Sequence, residues 1–190
     1  MNIGILAMQG AYKEHINILK TLGVNAFEVR YKKDFDNLDG LIIPGGESTS
    51  IGKLIKTLDI YNILKDKIHN KLPVWGTCAG MILLAKDIES QDDKYLCEMN
   101  IKVIRNGYGR QLGSFNTYSN MKYIGDDINM VFIRAPFIQS VGKNVEVLSV
   151  VDNKIVAAKE ENMLVTSFHP ELTDDYRVHK YFLDMVSSNI

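Results

Sequence analysis

One cysteine stands in a setting that suits nucleophilic chemistry. Residues 73–81 read PVWGTCAGM, so an apolar run precedes Cys78 and another follows it. The spacing Gly-x-Cys-x-Gly is typical of a tight turn between a strand and a helix. On such a turn the sulfur is exposed, and the positive end of the following helix favours the thiolate, which is the form that attacks.

A buried structural thiol is the alternative for Cys78. Free cysteine is among the most buried residue types and commonly packs like a small apolar side chain. The pattern Gly-x-Cys-x-Gly does not decide between the two roles by itself. The functional interpretation therefore depends on whether the sequence also supplies a base.

The candidate base is His169, which follows the apolar run MLVTSF. Because Pro170 comes next, the backbone at His169 is expected to be extended, and in extended chain residues i and i+2 point the same way. We therefore predict that Glu171 contacts His169. A carboxylate in that place fixes the imidazole tautomer and stabilises the imidazolium that forms. A strand-end histidine beside an incidental glutamate is the less favoured alternative.

The other three histidines have a simpler interpretation. They are His15, His69 and His179, and each lies in a stretch with a helical pattern. Exposed helix positions explain all three, so none of them is predicted to take part in catalysis.

A third segment supplies backbone donors. Residues 41–48 read LIIPGGES, which is a buried strand followed by two glycines and the start of a helix. Successive glycines let the backbone approach a ligand and direct N–H groups at an oxyanion. The segment lacks the length and the Lys-Ser/Thr pair of a Walker phosphate loop, and an ordinary turn is the alternative.

The elements that must position these segments follow a regular order. In the first half, β-like runs alternate with helical stretches, which is typical of an open parallel sheet. Gly23 is predicted to end the first helix and Ser48 to cap the second. The predicted strands are 2–7, 24–29, 40–43 and 74–76, and the predicted helices are 11–22, 48–58, 79–88 and, at the end of the chain, 174–186.

The second half contains strand runs separated by turn residues from about residue 99 onward. We therefore predict an α/β fold with a three-layer, open, mostly parallel sheet flanked by helices. It is expected to be flavodoxin-like, with antiparallel hairpins in the second half, and to form a single domain over residues 1–190. The three chemical segments all follow strands, so they are expected to meet at the carboxyl edge, where open α/β sheets bind ligands. Nucleophile, base and oxyanion donors together constitute a site for acyl transfer.

Composition excludes several classes of function. The 190 residues include 22 Lys and Arg against 23 Asp and Glu, so we expect neither nucleic acid nor an anionic membrane as a partner. No apolar run approaches the ~20 residues of a spanning helix, and no basic segment precedes the first run, so no signal peptide is expected. Two cysteines give no disulfide framework, which suits a reducing cytoplasm.

These segments together resemble the class I, or triad, glutamine amidotransferases, and within them the glutaminase subunits of pyridoxal 5'-phosphate synthase. The resemblance spans nearly the whole chain, through GILAMQGAYKEH, GLIIPGGESTSIGKL, PVWGTCAG, RNGYGRQ, VFIRAP and TSFHPELTDD. It implies that Cys78 is the nucleophile, His169 the general base and acid, and Glu171 the group that orients His169. The residues that it places around the substrate glutamine are Gly46, Glu47, Ser48, Arg105, Ile133 and Arg134.

The resemblance also implies a reaction and a partner. L-Glutamine is hydrolysed to L-glutamate and ammonia through a thioester, with backbone N–H groups near Gly46 and Ala79 holding the oxyanion and with no cofactor or metal. The ammonia passes to a separate synthase subunit in a hetero-oligomer with twelve copies of each chain. Two alternatives stay open: a glutaminase that serves another acceptor, and a non-enzymatic flavodoxin-like module with an elbow cysteine. Release of glutamate from glutamine discriminates an enzyme from such a module.

Two glycines depart from the family pattern. Gly107 stands where serine is usual, and Gly113 stands where aspartate often precedes Ser-Phe. Both glycines are expected to loosen the loop that carries Arg105.

Overall fold

The structure, a computed structural model, describes residues 1–91, 94–108 and 113–188. The described strands are β1 (Asn2–Leu6), β2 (Asn25–Val29), β3 (Gly40–Ile43), β4 (Val74–Thr77), β5 (Ala85–Ile88), β6 (Met99–Ile104), β7 (Ser114–Met121), β8 (Gly125–Ile133), β9 (Phe137–Val141), β10 (Glu146–Val151), β11 (Lys154–Glu160) and β12 (Met163–Thr166). The described helices are α1 (Tyr12–Thr21), α2 (Ser48–Thr57), α3 (Tyr61–His69), α4 (Ala79–Leu84) and α5 (Arg177–Ser187). Short 3₁₀ turns cover Lys32–Phe35 and Pro170–Leu172.

Ten of the strands in the described ranges form one mixed sheet, in the order β2-β1-β3-β4-β12-β11-β9-β6-β5, with β10 paired to β11. The block from β2 to β12 is parallel, and the pairs that join β12, β11, β9 and β6 are antiparallel. Strands β7 and β8 form a separate antiparallel ribbon. The predicted sheet with antiparallel hairpins in its second half is therefore confirmed. Its consequence for function is that β1, β3, β4 and β12 all end at one edge.

Both faces of the parallel block are buried, which explains the continuous apolar runs in its strands. In β3, Leu41 and Ile43 point into one core while Ile42 points into the other. In β4, Val74 and Trp75 divide between the same two cores. The alternation is the period of two that a strand imposes on its side chains.

Helices cover both faces and complete three layers. One core contains the apolar sides of α2, α3 and α4, and the other contains those of α1 and α5 together with side chains of the β7–β8 ribbon. Trp75 and Phe182 are fully buried in the second core, with ring centroids 5.6 Å apart. Among the described helices, none is long and apolar enough to cross a membrane.

Three local predictions were wrong. The predicted helix 79–88 ends at Leu84, because residues 85–88 pair in parallel with β6 instead of continuing the helix. The last helix begins at Arg177 and not at residue 174, since the carboxylate of Asp175 accepts the Arg177 backbone N–H at 3.1 Å and forms a turn there. The second helix is capped by Glu47, whose carboxylate accepts two backbone N–H groups, and not by Ser48.

Candidate active site

Cys78 lies on the tight turn that the sequence predicts, between β4 and α4. Its backbone has φ +48° and ψ −100°, a conformation that costs a residue with a side chain about 1–3 kcal/mol. A hydrogen bond to the neighbouring strand stabilises this strained backbone, because the backbone N–H of Cys78 donates to the Thr166 carbonyl of β12 at 2.8 Å. The strained turn directs the side chain into a cavity at the carboxyl edge of the sheet.

The glycine spacing around Cys78 has a steric cause. A Cβ atom on Gly80 would lie 2.0 Å from the Ile43 carbonyl oxygen, and a Cβ atom on Gly76 would lie 2.6 Å from the Gly80 carbonyl carbon. Real Cβ atoms do not approach backbone so closely, so β3, β4 and α4 can meet at this point only without side chains at these two positions. The tight turn that the Gly-x-Cys-x-Gly spacing predicts therefore depends on both glycines.

His169 and Glu171 are in contact, as predicted. His169 Nδ1 lies 2.7 Å from Glu171 Oε1, and the glutamate is only 5% exposed. The predicted extended backbone is wrong, however, because Pro170 begins a 3₁₀ turn and His169 itself has φ −109° and ψ 83°. The turn brings the two side chains together by folding the chain back. The His169 N–H donates to the Val131 carbonyl at 2.8 Å and ties the turn to β8.

The environment of His169 favours its charged form. Burial lowers the pKa of His169, but hydrogen bonds to Cys78 and Glu171 outweigh burial and raise it to about 10. The imidazole is therefore protonated near neutral pH. A histidine in this state lies between a buried carboxylate and the cysteine, so it has both a proton to donate and an anion that stabilises it.

The cavity beside Cys78 has a volume of about 470 Å³, within the range of small-ligand sites. Every residue that the resemblance places at the site lines this cavity except Glu171, which lies behind His169. The lining residues among them are Gly46, Glu47, Ser48, Cys78, Ala79, Arg105, Ile133, Arg134 and His169.

Several lining residues were not predicted. Gly10 and Ala11 follow β1, and their place at the carboxyl edge of a parallel strand is a signal that could have found them. Asn106, Pro136 and Leu172 each neighbour a predicted site residue or segment, but nothing in their type or spacing distinguishes them.

The walls of the cavity carry both signs of charge. Glu47 accepts the N–H groups of Thr49 at 3.0 Å and Ser50 at 2.7 Å. Burial raises the pKa of Glu47, but hydrogen bonds from the side chains and backbone of Ser50 and Thr49 together outweigh burial and lower the pKa to about 2, so the carboxylate is charged at neutral pH. Arg105 Nη2 lies 3.5 Å from Glu47 Oε1, and Arg105 Nη1 donates to Gln91 at 2.9 Å.

Gly107 and Gly113, the two glycines that depart from the family pattern, each take part in a backbone hydrogen bond. Gly107 donates its N–H to the Ala135 carbonyl at 3.0 Å, and a Cβ atom on Gly107 would lie 2.1 Å from the Phe137 ring. The Gly113 carbonyl accepts the N–H of Arg134. The expectation that these glycines loosen the Arg105 loop stays a prediction, and at Gly107 the missing side chain gives room to Phe137. Residues 109–112 of the motif RNGYGRQ lie outside the described ranges.

The prediction for two of the remaining histidines was wrong. His15 and His179 are 0% exposed, and His15 Nδ1 lies 2.9 Å from His179 Nε2. The sequence carried a signal for this, because His15 shares a helix face with Leu19, and His179 shares one with Phe182. His69 is exposed as predicted and pairs with Glu98 at 2.7 Å.

An α/β sheet with a cysteine on a strand-to-helix turn, facing a histidine–glutamate pair, is the arrangement that the class I glutamine amidotransferases share. The sequence profile of the SNO glutamine amidotransferase family matches residues 5–188, and this chain belongs to that family.

Relatives along the whole chain agree with this family. The pyridoxal 5'-phosphate synthase subunit PdxT of Clostridium botulinum is 53% identical over 191 residues, covering 100% of this chain and 99% of the relative. The PdxT subunit of Haemophilus influenzae is 55% identical over 189 residues, covering 97% of this chain and 98% of the relative. A crystal structure of a glutamine amidotransferase superposes with a TM-score of 0.94 at 41% identity, covering 98% of this chain and 100% of that chain.

The different surroundings of the two cysteines lead to the first prediction. A glutamine-like electrophile should label Cys78 alone, because Cys78 lines the cavity and faces His169, whereas Cys97 lies outside the cavity with its Sγ 4.0 Å from the Tyr95 carbonyl. Peptide mass mapping measures the labelled site, and excess glutamine should protect it. Cys97→Ser is the matched control and should be labelled like the unaltered chain. Equal labelling of both cysteines, or Cys97 first, would contradict the assignment.

Gly45 provides the second prediction. A Cβ atom at this position would lie 2.4 Å from His169 Cε1 and 3.4 Å from Cys78 Cβ. Gly45→Ala should therefore displace the imidazole and lower the rate of glutamate production by on the order of 10², the cost of misplacing a reacting group by about 1 Å. Gly23→Ala is the control for backbone strain, because its φ of +78° disfavours alanine while the added methyl group meets no atom within 4 Å; this variant should lose stability but keep its rate per folded molecule. Full activity in Gly45→Ala would show that His169 does not need its present position.

Proposed function

We propose that this chain hydrolyses L-glutamine to L-glutamate and ammonia through a γ-glutamyl thioester on Cys78. One observation carries the proposal: Cys78, on a strained turn, faces a protonated His169 that is hydrogen-bonded to the buried Glu171. The cavity above them has the size and charges for one free amino acid. The family that the chain belongs to supports the same chemistry.

The charged groups of the cavity suit the two charged groups on the α-carbon of glutamine. Arg105 and Arg134 line it and can hold the α-carboxylate by charge-assisted hydrogen bonds. The Glu47 carboxylate, charged at neutral pH, can pair with the α-ammonium group. With both of these groups held, the side-chain carboxamide at the other end of glutamine extends toward Cys78.

The first half of the reaction uses His169 as an acid. The Cys78 thiolate attacks the carboxamide carbon, and the carbonyl π electrons move to the oxygen, which backbone N–H groups near Gly46 and Ala79 can hold. The carbon–nitrogen bond then breaks as His169 donates its proton to the departing nitrogen. Ammonia leaves, the γ-glutamyl thioester remains, and His169 is neutral.

The second half uses His169 as a base, and acylation itself makes this possible. The hydrogen bond to Cys78 is among the causes that raise the pKa of His169, and a thioester sulfur carries no negative charge. The pKa of His169 therefore falls when the thioester forms. The neutral imidazole takes a proton from water as the water oxygen attacks the thioester carbon. The carbon–sulfur bond then breaks, the sulfur leaves as a thiolate beside the protonated His169, and the new carboxyl group releases its proton to water, which gives glutamate and restores the starting state.

The destination of the ammonia is proposed from the relatives. Those described above carry the name of a subunit of pyridoxal 5'-phosphate synthase. We infer that this chain delivers its ammonia in the cytoplasm to a synthase subunit that builds pyridoxal 5'-phosphate, in an assembly of twelve copies of each chain. An assembly of another size, measured by native mass spectrometry, would correct the stoichiometry and leave the chemistry untouched.

Docking of the synthase can act on the oxyanion site through the loop after β1. The Gln9 side chain accepts the Glu47 N–H at 2.9 Å, so this loop contacts the glycine segment of the cavity. Gly46 has φ +157°, and a glycine there can rotate its peptide with little steric cost. A partner that moves Gln9 can therefore turn a peptide N–H toward or away from the oxyanion.

The third prediction separates the nucleophile from the group that orients the base. Cys78→Ala should abolish glutamate production, because no thioester can form. Glu171→Gln should leave a measurable enzyme slowed by on the order of 10²–10⁴, since His169 keeps its place in the chain but loses the carboxylate that orients and charges it. The substitution removes one cause of the raised pKa of His169, so the high-pH limit of activity should move to lower pH.

Initial rates of glutamate release across pH measure both effects, with Glu161→Gln, an exposed glutamate outside the cavity, as the matched control. A Glu171→Gln enzyme with the rate and pH profile of the unaltered chain would contradict the orienting role.

The fourth prediction concerns activation by the partner. The purified chain should produce glutamate slowly alone and faster with equimolar synthase. The increase in rate should be on the order of 10²–10³, which is the factor by which kcat falls when one oxyanion donor is removed. Gln9→Ala should reduce this stimulation, whereas Gln139→Ala, a remote exposed glutamine, should not. Equal rates with and without synthase would refute the gating and leave the roles of Cys78 and His169 unaffected.

A further inference from the structure

Two buried histidines lie directly behind the candidate triad. His15 comes from α1 and His179 from α5, and both are fully buried beside Trp75, with ring centroids 5.4 Å and 4.9 Å from the indole. His15 Nε2 lies 3.4 Å from Glu171 Oε2, the carboxylate oxygen that His169 does not use. His15 Nδ1 lies 2.9 Å from His179 Nε2. A continuous path of polar atoms therefore runs from His169 through Glu171 and His15 to His179.

The protons along this path can be placed by elimination. An ionised carboxylate only accepts hydrogen bonds, so a proton on His15 must sit on Nε2 to meet Glu171. A neutral imidazole then has a bare Nδ1, and this nitrogen must accept from His179 Nε2–H. Each step leaves one tautomer, in which His179 donates to His15 and His15 directs its Nε2–H toward Glu171 Oε2.

We propose that His15 is a positioning residue, which holds the second oxygen of Glu171 and thereby the orientation of His169, and that His179 fixes the tautomer that His15 needs. The kinetic part of this inference rests on the proposed glutaminase function. Neither histidine touches the cavity, so both act through Glu171.

A purely structural role does not account for the two imidazoles. The site is apolar on the Trp75 side, and leucine or phenylalanine would fill it without burying polar nitrogen atoms. Glu171 Oε2 and His15 Nε2 are both buried, and neither has a hydrogen-bond partner among the described residues. They lie 3.4 Å apart, at ion-pair distance, so each is a polar neighbour of the other. A carboxylate oxygen left without any donor at this depth would favour rotation or protonation of Glu171.

The neutral state of His15 matters for the role. The groups that face it are Glu171, His179 and, further away, His169. Burial lowers the pKa of His15 well below its usual value, and the charges of His179 and His169 lower it further, so His15 is neutral at working pH. A neutral donor holds Glu171 without competing with the His169 imidazolium for the negative charge of the carboxylate.

Ring ¹⁵N NMR on the intact chain tests the proton placement directly. The expected spectrum shows His15 and His179 neutral, each protonated on Nε2, and unchanged through the physiological pH range. The ring signals of His169 are identified by their absence in His169→Gln and by their change in Cys78→Ala. An Nδ1-protonated His15, or a His15 that titrates near its ordinary pKa, would overturn the proposal.

Two isosteric substitutions test the positioning role. The terminal nitrogen of glutamine occupies nearly the same place as His Nε2, whereas that of asparagine occupies the place of Nδ1. His15→Gln should stay within about threefold of the unaltered chain in kcat for the synthase-bound enzyme, and His15→Asn should lose about tenfold or more, with KM for glutamine changed less than twofold. At position 179 the same pattern is expected, because its Nε2 is also the donor. Equal losses in the Gln and Asn variants, or no loss in either, would overturn the proposal.

A second readout does not depend on glutaminase activity. The pH profile of Cys78 alkylation by a small neutral electrophile reports the charge on His169, so it should shift in His15→Asn and stay in place in His15→Gln. His69→Asn, at an exposed histidine, should change neither readout. If the unaltered chain releases no glutamate at all, the proposed function fails, while the NMR and alkylation results still decide the role of His15. An alkylation profile that is the same in all variants would contradict that role.

Discussion

The hydrogen bond between His169 and the buried Glu171 is the interaction on which the rest of the site depends. Burial alone would favour the neutral form of the imidazole, but together with the hydrogen bond to Cys78 this bond raises the pKa of His169 and keeps the imidazole charged. Cys78 then has a cation beside it, and the leaving nitrogen has a proton donor. Without the carboxylate, the strained turn and the glycine segment would still surround a cavity, but the cavity would have no acid or base in a defined orientation.

The parallel sheet explains how this interaction reaches Cys78. Because β4 and β12 are neighbours in the sheet and run the same way, the residues that follow them emerge side by side. The loop after β3 lies on the other side of β4, so its glycine segment reaches the same cavity. Three segments that are distant in sequence thus meet without any need for long side chains. The same close approach excludes a side chain at Gly80, which would meet the Ile43 backbone, and at Gly45, which would meet the His169 ring.

Much of this arrangement was predictable from sequence because its signals are local. Alternating buried strands and helices define a mixed open sheet, and a parallel sheet has one edge where the loops after its strands meet. The turn at Cys78 and the contact between His169 and Glu171 also follow from short spacings. The route to that contact did not, because proline at this place begins a 3₁₀ turn instead of extending the chain. The end of the helix after Cys78 was likewise decided by pairing with a distant strand.

The buried histidines show where sequence patterns have limited power. His15 and His179 occupy apolar helix faces, but whether a histidine on such a face is buried depends on a partner elsewhere in the chain. Here His15 lies beside His179 and Glu171, and both of them are far from His15 in the sequence. Long-range polar contacts of this kind cannot be read from spacing. A resemblance that carries over only the triad does not reveal them either.

The proposed chemistry requires that glutamine pass through a covalent bond to Cys78. The most direct test is a single-turnover experiment, in which synthase-bound enzyme in excess over glutamine is quenched rapidly in acid and its peptides are weighed. We expect the peptide that contains Cys78 to gain one γ-glutamyl group, which appears before free glutamate and decays as glutamate accumulates. Formation of glutamate on the same time course, with Cys78 unmodified throughout or with the group on another residue, would contradict the claim.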